Sequence, residues 1–420
     1  MVQDPIPATI ERKSSKLHFI IGVFWLTYWM ANLYIGFAQI IAFLDYYVMT
    51  ALLLVYIVFA RPISLIQAAQ IPSMWLWVMS AAIPAIMYID AAYGGFSFSE
   101  MSTRIVYLSA LGGMTLVLLD ENRVTLIRTA ARLALAITVS LNFLDLVITL
   151  PFERSELRAA GLWMDPNISA AALCSMLLIA VHPLRATRLD LIIVSITLVA
   201  ILATFSRSGM LFGLLLAVVY FFSPGGRESL RTGSRIAMGL ALAVTFTIAG
   251  GILIQIFAID LSMAWRIESL LTLNIGDASA QARLTRANFG IQRALEFFWT
   301  GRGLGAASFY SLHSHNAYIA ILYDYGIIGL TFYVTMISQG IFQMLRYGWR
   351  RALVPGLLST NLLYYGMFAH TVPDTAGMSI ALVVFMLKIF IDPPQENKTQ
   401  TSQIEPPEEV PGLLQPEHAQ

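Results

Sequence analysis

Runs of about 20 consecutive apolar residues recur along this 420-residue chain between Leu17 and Ile391, and short polar loops separate most of them. A run of this length crosses the hydrocarbon core of a bilayer as an α-helix, which satisfies its own backbone hydrogen bonds. The runs do not alternate apolar and polar residues, which excludes a membrane β-barrel. With 57% hydrophobic residues, 12% charged residues and a mean hydropathy of +0.70, the composition excludes a soluble globular domain. The sequence therefore predicts an all-α polytopic membrane protein.

Three regions are predicted along the chain. They are a cytoplasmic N-terminus at 1–16, a membrane domain at 17–391 with a large periplasmic loop at 260–314, and a disordered cytoplasmic tail at 392–420 that is rich in Pro, Glu and Gln. We expect about twelve transmembrane helices. Their centres lie near Val23, Leu53, Val78, Leu111, Ile137, Met176, Val194, Leu214, Leu242, Ile327, Leu358 and Val383.

The distribution of basic residues predicts the orientation of the spans. Arg12, Lys13 and Lys16 precede the first apolar run and place the N-terminus in the cytoplasm, and an even number of spans returns the C-terminus to the same side. All four lysines are then cytoplasmic, whereas the periplasmic segments hold nine arginines and no lysine. A guanidinium presents a planar fork of donors that suits phosphate oxygens, so this excess of arginine indicates a bound phosphate or diphosphate.

The large periplasmic loop contains a predicted amphipathic helix. Its apolar residues share one side, within about 40°, and we expect that side to lie on the membrane surface. They are Leu284, Ile291, Leu295 and Phe298. Arg286 and Arg293 point away from this stripe, while Arg283 lies about 100° from it and can reach a cleft.

The loop ends at His315-Asn316, and an apolar run with glycines at Gly326 and Gly329 follows. We expect Asn316 to cap the helix formed by that run. On a continuous helix both glycines lie within roughly 60° of His315, which predicts a seam where a neighbouring helix packs closely. Asp324 lies on the opposite side and is expected to pair with a polar group inside the bundle. Near its reference pKa of about 6.5, His315 is a competent general base, although an interfacial histidine without chemistry has the same position.

This pattern resembles one that the O-antigen ligase and polymerase family carries at its last large periplasmic loop. In that pattern nine residues separate His315-Asn316 from Gly326, and two more separate Gly326 from Gly329. Three further segments are similar to family motifs, in the same order along the chain. They are Arg158–Asn167 before a membrane helix, Thr204–Gly209 at a helix end, and Arg283 eighteen residues before the Gly-x-Gly-x-Gly turn that starts at Gly301. One departure is Ala287, where many members of the family have Trp.

The resemblance implies a membrane glycosyltransferase of the bacterial inner membrane. Such an enzyme moves a glycan from undecaprenyl diphosphate to an acceptor hydroxyl on the periplasmic face, inverts the anomeric configuration and needs no metal or other cofactor. Its partners are the lipid-linked donor, a glycan or lipid A-core acceptor, and membrane lipids, with no nucleic acid. His315 would be the catalytic base, and Arg158, Arg207 and Arg283 would hold the diphosphate. The residues expected just outside this site are Asn316, Arg286 and Asn167.

Several alternatives stay open at this stage. The sequence favours a ligase over a polymerase of O-antigen or exopolysaccharide repeat units only weakly. A transporter of lipid-linked glycan belongs to another class and needs charged or broken-helix sites near the bilayer midplane, whereas the arginines gather on one face. The alternative for Arg158 and Arg207 is that they do not bind phosphate and only anchor helix ends at the membrane interface. Asp165 either orients an arginine or contacts sugar, and Pro166 and Asn167 are expected to start a helix.

Cysteine labelling in intact cells tests the predicted topology. A cysteine placed at Ser269 should react with an impermeant maleimide from the periplasm, and one placed at Arg231 should not, because basic residues stay on the cytoplasmic side. Labelling at Arg231 without labelling at Ser269 would reverse the orientation and remove the basis for a periplasmic site.

Overall fold

The computed structural model describes residues 16–34, 46–60, 62–71, 75, 95–120, 122–148, 158–223, 233–234, 236–237, 239–240, 278–309, 316–369 and 376–391. Regular secondary structure in these residues is helical throughout, which confirms the all-α class for this part of the chain. In chain order the α-helices are α1 Lys16–Met30, α2 Tyr46–Ala60, α3 Pro62–Ala69, α4 Gly95–Leu118, α5 Arg123–Val147, α6 Pro166–Ala180, α7 Arg188–Ala203, α8 Arg207–Phe222, α9 Ala278–Glu296, α10 Ala306–Phe309, α11 Ala317–Tyr347, α12 Leu353–Gly366 and α13 Ala376–Met386. Short 3-10 helices at Gly161–Trp163 and Pro183–Arg185 flank α6.

Ten of the twelve predicted span centres lie inside these helices, and the other two, Val78 and Leu242, lie outside the described residues. Two stretches, Arg123–Leu146 and Ala317–Tyr347, have both the length and the hydropathy of a membrane-crossing helix. Shorter apolar stretches lie in α2, α4, α6 and α8. The helices fit a membrane protein, while the number of spans and their orientation remain predictions.

Helix α6 lies at the centre of the bundle. All of its residues except Asn167 and Ile168 are buried, and α5, α7, α8, α12 and α13 pack around it. Its first two turns consist largely of small residues, which allow neighbouring helices to approach closely. A Cβ added to Gly209 on α8 would lie only 2.6 Å from the Cβ of Ala170.

Buried hydrogen bonds fix the neighbouring helices against α6. Asn142 on α5 donates to Ser169 Oγ at 3.0 Å, and Asn361 on α12 donates to Ser175 Oγ at 2.7 Å. Tyr220 on α8 donates to the carbonyl of Val181 at 2.8 Å. Because a buried polar group is costly without a partner, each bond selects one rotation and one height for its helix.

Two contacts along α5 show which helix ends lie together at each end of the bundle. At one end, Arg132 on α5 pairs with Asp190 near the start of α7 at 2.8 Å and donates to the carbonyl of Ala180, the last residue of α6. Near the other end, Asn142 contacts Ser169, close to the start of α6. Helices α5 and α6 therefore run antiparallel. The end of α5, the start of α6, the end of α7 and the start of α8 lie at the same end of the bundle.

Helix α11 is interrupted at Gly326, so the predicted continuous helix is wrong at this position. The backbone of Gly326 has φ 64° and ψ −167°, which ends one helical segment and starts another. The close approach predicted at Gly326 is present, but its neighbour is loop backbone: a Cβ there would lie 2.5 Å from the carbonyl oxygen of Trp299. At Gly329 the nearest neighbour is the side chain of Tyr325 on the same helix. The break replaces the predicted seam between two helices by contact with a loop.

Replacing Gly326 by Ala should destabilise the folded protein by roughly 2 kcal/mol or more, because the new Cβ requires a strained positive φ and overlaps loop backbone. Thermal unfolding of the purified protein in detergent measures the loss. Gly112→Ala on α4 is the matched control, since a Cβ at Gly112 meets nothing within 4 Å and φ there is ordinary. Equal melting temperatures for the two variants would contradict the described contact.

Candidate active site

The structure describes only part of the predicted site. His315 lies outside the described residues, and for Arg283 the backbone in α9 is described but the side chain is not. The other predicted site residues are described with their side chains. They are Arg158, Asn167, Arg207, Arg286, Asn316, Gly326 and Gly329.

A tight turn at Thr204–Ser206 joins α7 to α8. Thr204 Oγ1 donates to the carbonyl of Ile201 at 2.7 Å and ends α7, and Phe205 adopts a left-handed conformation with φ 47°. Ser206 Oγ accepts from the N–H of Gly209 at 3.1 Å and caps α8. We call these three residues the 204–206 turn.

Two of the predicted diphosphate ligands meet at the 204–206 turn. Arg158 donates from Nε to the carbonyl of Thr204 at 3.2 Å and from Nη2 to the carbonyl of Phe205 at 3.5 Å. Arg207 is the first residue of α8 and is half-buried. The guanidinium of Arg158 is therefore held beside the N-terminus of the helix that Arg207 begins, and the N–H groups there carry partial positive charge. Arg158 and Arg207 are distant in sequence but lie at one corner of the bundle, which we call the arginine corner.

Asp145 and Asn142 on α5 hold the segment that carries Arg158. The carboxylate of Asp145 accepts from the N–H groups of Ala160 and Gly161 at 2.9 and 2.8 Å. Gly161 has φ 52°, and a Cβ there would lie 2.8 Å from Asn142 Oδ1. Sequence reasoning missed both α5 residues. A carboxylate inside an apolar run is costly without a partner, and that signal could have identified Asp145.

The start of α6 agrees with the predicted helix-start chemistry. Asp165 is the N-cap residue and accepts from the N–H groups of Asn167 and Ile168, and Pro166 is the first helical residue. Asn167 Oδ1 accepts from Ser206 Oγ at 2.7 Å, which ties α6 to the 204–206 turn. Asn167 thus holds the turn that Arg158 contacts. The carboxylate of Asp165 caps α6.

The start of α11 lies at the same end of the bundle. Asn316 caps the helix as predicted, accepting from the N–H groups of Tyr318 and Ile319 at 3.0 and 3.2 Å. Tyr318 donates to the carbonyl of Leu363 near the end of α12 at 2.6 Å. The next residue on α12, Tyr364, stacks on Phe212 of α8 with ring centroids 5.7 Å apart. The end of α12 therefore bridges the start of α11, which His315 immediately precedes, and the first turns of α8.

Helix α9 presents three different faces. Gly290 and Ala294 are buried, and position 283 belongs to the same face by helical register. Arg286 and Arg293 lie on an exposed face, as predicted, where Arg293 donates to Glu296 at 3.0 Å. The apolar stripe is exposed as well, as expected of a surface that contacts lipid. Three of its four predicted members, Leu284, Ile291 and Leu295, have exposed fractions of 60%, 42% and 57%. The fourth, Phe298, lies beyond the end of α9 and is half-buried, so the prediction is wrong for this residue.

The two described histidines, His18 and His182, lie at the opposite end of the bundle. His182 follows the last turn of α6, and its Nδ1 accepts from the N–H of Leu184. Burial, followed by the positive charges of Arg128 and Arg185, lowers the pKa of His182 to about 4. Neither histidine is near the arginine corner.

Comparison with known proteins supports the resemblance. A family model described as O-antigen ligase matches residues 192–334. Residues 192–334, which we call the ligase domain, are therefore similar to the O-antigen ligase family. The ligase domain begins within α7 and ends within α11, so it includes Arg207, Arg283 and His315, whereas Arg158 and Asn167 precede it. No curated protein matches the chain.

Proposed function

We propose that this protein transfers a glycan from undecaprenyl diphosphate to an acceptor hydroxyl at the periplasmic face of the bacterial inner membrane. The ligase domain supports a ligase or polymerase type of activity in a membrane-integral protein. The observation that carries the choice of donor is the convergence of Arg158 and Arg207 on the 204–206 turn. Two arginines at a helix N-terminus suit a diphosphate better than a neutral sugar.

The arginines would stabilise the leaving group. As the bond between the anomeric carbon and the diphosphate breaks, negative charge grows on the phosphate oxygens, and fixed donors in a site of low dielectric stabilise that charge without reorganising. The two bonds from Arg158 to the turn fix the orientation of its guanidinium. Position 283 on the inner face of α9 would bring a third arginine from the loop side.

His315 would activate the acceptor. Its neutral imidazole takes the proton from the acceptor hydroxyl while the oxygen attacks the anomeric carbon, and the bond to the diphosphate breaks with its electron pair on the leaving oxygen. A single displacement of this kind inverts the anomeric configuration and needs no metal ion. Support for the assignment comes from the start of α11, which lies near the first turns of α8 that carry Arg207.

Two other functions remain to be separated from a ligase. A polymerase would use the same groups but take a second donor molecule as acceptor, so a product longer than one donor glycan, formed without any other acceptor, would assign it. A transporter of lipid-linked glycan is the rival of another class, and the break at Gly326 is a feature that such proteins use. We favour the enzyme because the loop fills this break, whereas a transport site needs groups that line a cavity.

Replacing Arg158, Arg207 or Arg283 by Ala should reduce transfer by purified protein at least roughly tenfold, and Lys should rescue poorly because it lacks the bidentate fork. Initial rates with a synthetic polyprenyl-diphosphate donor give the measurement. Arg286→Ala and Arg293→Ala are matched controls on the exposed face of the same loop helix and should be more tolerant. Equal transfer rates for all five Ala variants would contradict the proposed diphosphate site.

The variant His315→Ala should fold and insert normally but lower turnover by a factor of about 10² to 10⁴, the usual effect of removing a positioned base. Donor affinity should stay near that of the wild type, because the arginines and not the imidazole hold the diphosphate. His313→Ala is the control and should be far less sensitive. Transfer and donor binding are measured side by side, with and without a chelator.

Turnover of the His315 variant within a few-fold of wild type would remove His315 from the mechanism. A strict requirement for a divalent cation would instead contradict the metal-independent displacement and leave the base assignment standing.

A further inference from the structure

The break in α11 exchanges helical hydrogen bonds for bonds to a loop. In an unbroken helix the N–H of Ile327 would donate to the carbonyl of Tyr323. Instead, Ile327 donates to the carbonyl of Phe298 at 2.7 Å, and the carbonyl of Tyr323 accepts from Arg302 at 2.7 Å. The residues 298–303, which we call the latch loop, therefore provide partners for these two backbone groups.

Asp324 binds both the latch loop and the start of α10. Its backbone carbonyl accepts from the N–H of Gly303 at 2.9 Å, and its carboxylate Oδ1 accepts from the N–H of Ala307 at 2.7 Å. The residue is only 7% exposed. This confirms the predicted pairing inside the bundle and identifies the partner as backbone on the chain that follows α9. A carboxylate held in this way resists sliding of the loop along α11, because both bonds would break together.

Two glycines make the close contact possible. Gly301 and Gly326 both have positive φ, at 69° and 64°, and face each other backbone to backbone. A Cβ on Gly326 would lie 2.6 Å from the nitrogen of Gly301. Arg302, between the loop glycines, places its guanidinium 5.0 Å from the ring of Phe297 and donates to Tyr323 Oη at 3.3 Å. The latch loop is therefore seated on α11 in one register.

The latch joins the two segments that carry the proposed catalytic groups. Arg283 belongs to α9, which ends two residues before the latch loop, and His315 immediately precedes the cap of α11, nine residues before Asp324. We propose that Asp324 is a positioning residue that fixes the spacing between the Arg283 helix and the His315 helix. The proposal rests on the proposed glycosyl transfer for its consequence in catalysis. The contact itself does not depend on it.

The first experiment measures the spacing directly. Spin labels are attached at Gln281 on the exposed side of α9, close to Arg283, and at the exposed Ile328 just after the break in α11, in full-length protein whose buried Cys174 is replaced by Ala. Pulsed dipolar spectroscopy should give one narrow distance distribution in this reference protein. Asp324→Leu should broaden and shift the distribution, because the side chain can no longer accept from Ala307. Asp324→Asn keeps an oxygen acceptor and should restore most of the narrow distribution.

A second variant removes the same bond from the other side. Ala307→Pro eliminates the N–H donor while Asp324 stays intact, and proline is tolerated in the first turn of a helix. It should broaden the distribution as Asp324→Leu does. This second route protects the test against failure of the Asp324→Leu protein to fold.

The second experiment measures transfer per folded molecule. Asp324→Leu should lower turnover by roughly 10²-fold, since a displacement of about 1 Å between reacting groups has an effect of that size. Donor affinity should fall by a smaller factor than turnover, because Arg158 and Arg207 stay in place and only Arg283 shifts with α9. Asp190→Leu is the matched control: Asp190 is equally buried at 7%, lies at the other end of the bundle and should lower thermal stability without changing turnover of the folded fraction.

The outcomes distinguish the proposed role of Asp324 from the proposed glycosyl transfer. An unchanged distance distribution in both Asp324→Leu and Ala307→Pro overturns the proposal that Asp324 sets the spacing. A broadened distribution with wild-type turnover per folded molecule overturns its consequence for catalysis. If the reference protein transfers no glycan, the proposed function fails, and the distance measurement still decides whether Asp324 sets the spacing.

Discussion

An unpaired backbone N–H or C=O costs several kcal/mol in an apolar environment, and this constraint governs the arrangement around the break in α11. The break at Gly326 is stable because the latch loop supplies a donor and an acceptor to the groups that lose their helical partners. That exchange determines where the chain after α9 can lie. The position of α9 relative to α11 follows from hydrogen-bond satisfaction as well as from apolar packing.

The same physical rule shapes the arginine corner. Asp145 is a buried carboxylate, and it satisfies two backbone N–H groups of the segment that follows Arg158. Arg158 in turn satisfies carbonyls of the 204–206 turn. Charged side chains are thus anchored on backbone groups, which are fixed by the helices themselves. Such anchoring holds a site in one geometry before substrate arrives, and preorganised donors are the most effective means of stabilising developing charge.

The candidate site is wider than the ligase domain. Arg207, Arg283 and His315 belong to residues 192–334, whereas Arg158 and its supports on α5 and α6 precede that region. Helix α6 connects the two parts, since Asn167 at its start accepts from Ser206 and Ser175 along its length accepts from Asn361 of α12. The contacts of α12 with Tyr318 then lead to the start of α11. Residues 192–334 by themselves would therefore lack Arg158 and the central helix α6.

The sequence by itself determined the helical class, the positions of most helices, the start of α6 at Pro166, the cap at Asn316 and the amphipathic helix at α9, because these features depend on local composition and periodicity. The N-cap role of Asp165 came from the structure, in place of the predicted contact with an arginine or sugar. It also singled out Arg158 and Arg207 as members of one site through the family resemblance. Only the tertiary structure decided that both arginines meet at the 204–206 turn, that Asp145 holds their segment and that Gly326 breaks α11 to receive a loop. Each of these is a contact between residues distant in the chain, and helical periodicity, which assumes an unbroken helix, carries no information about them.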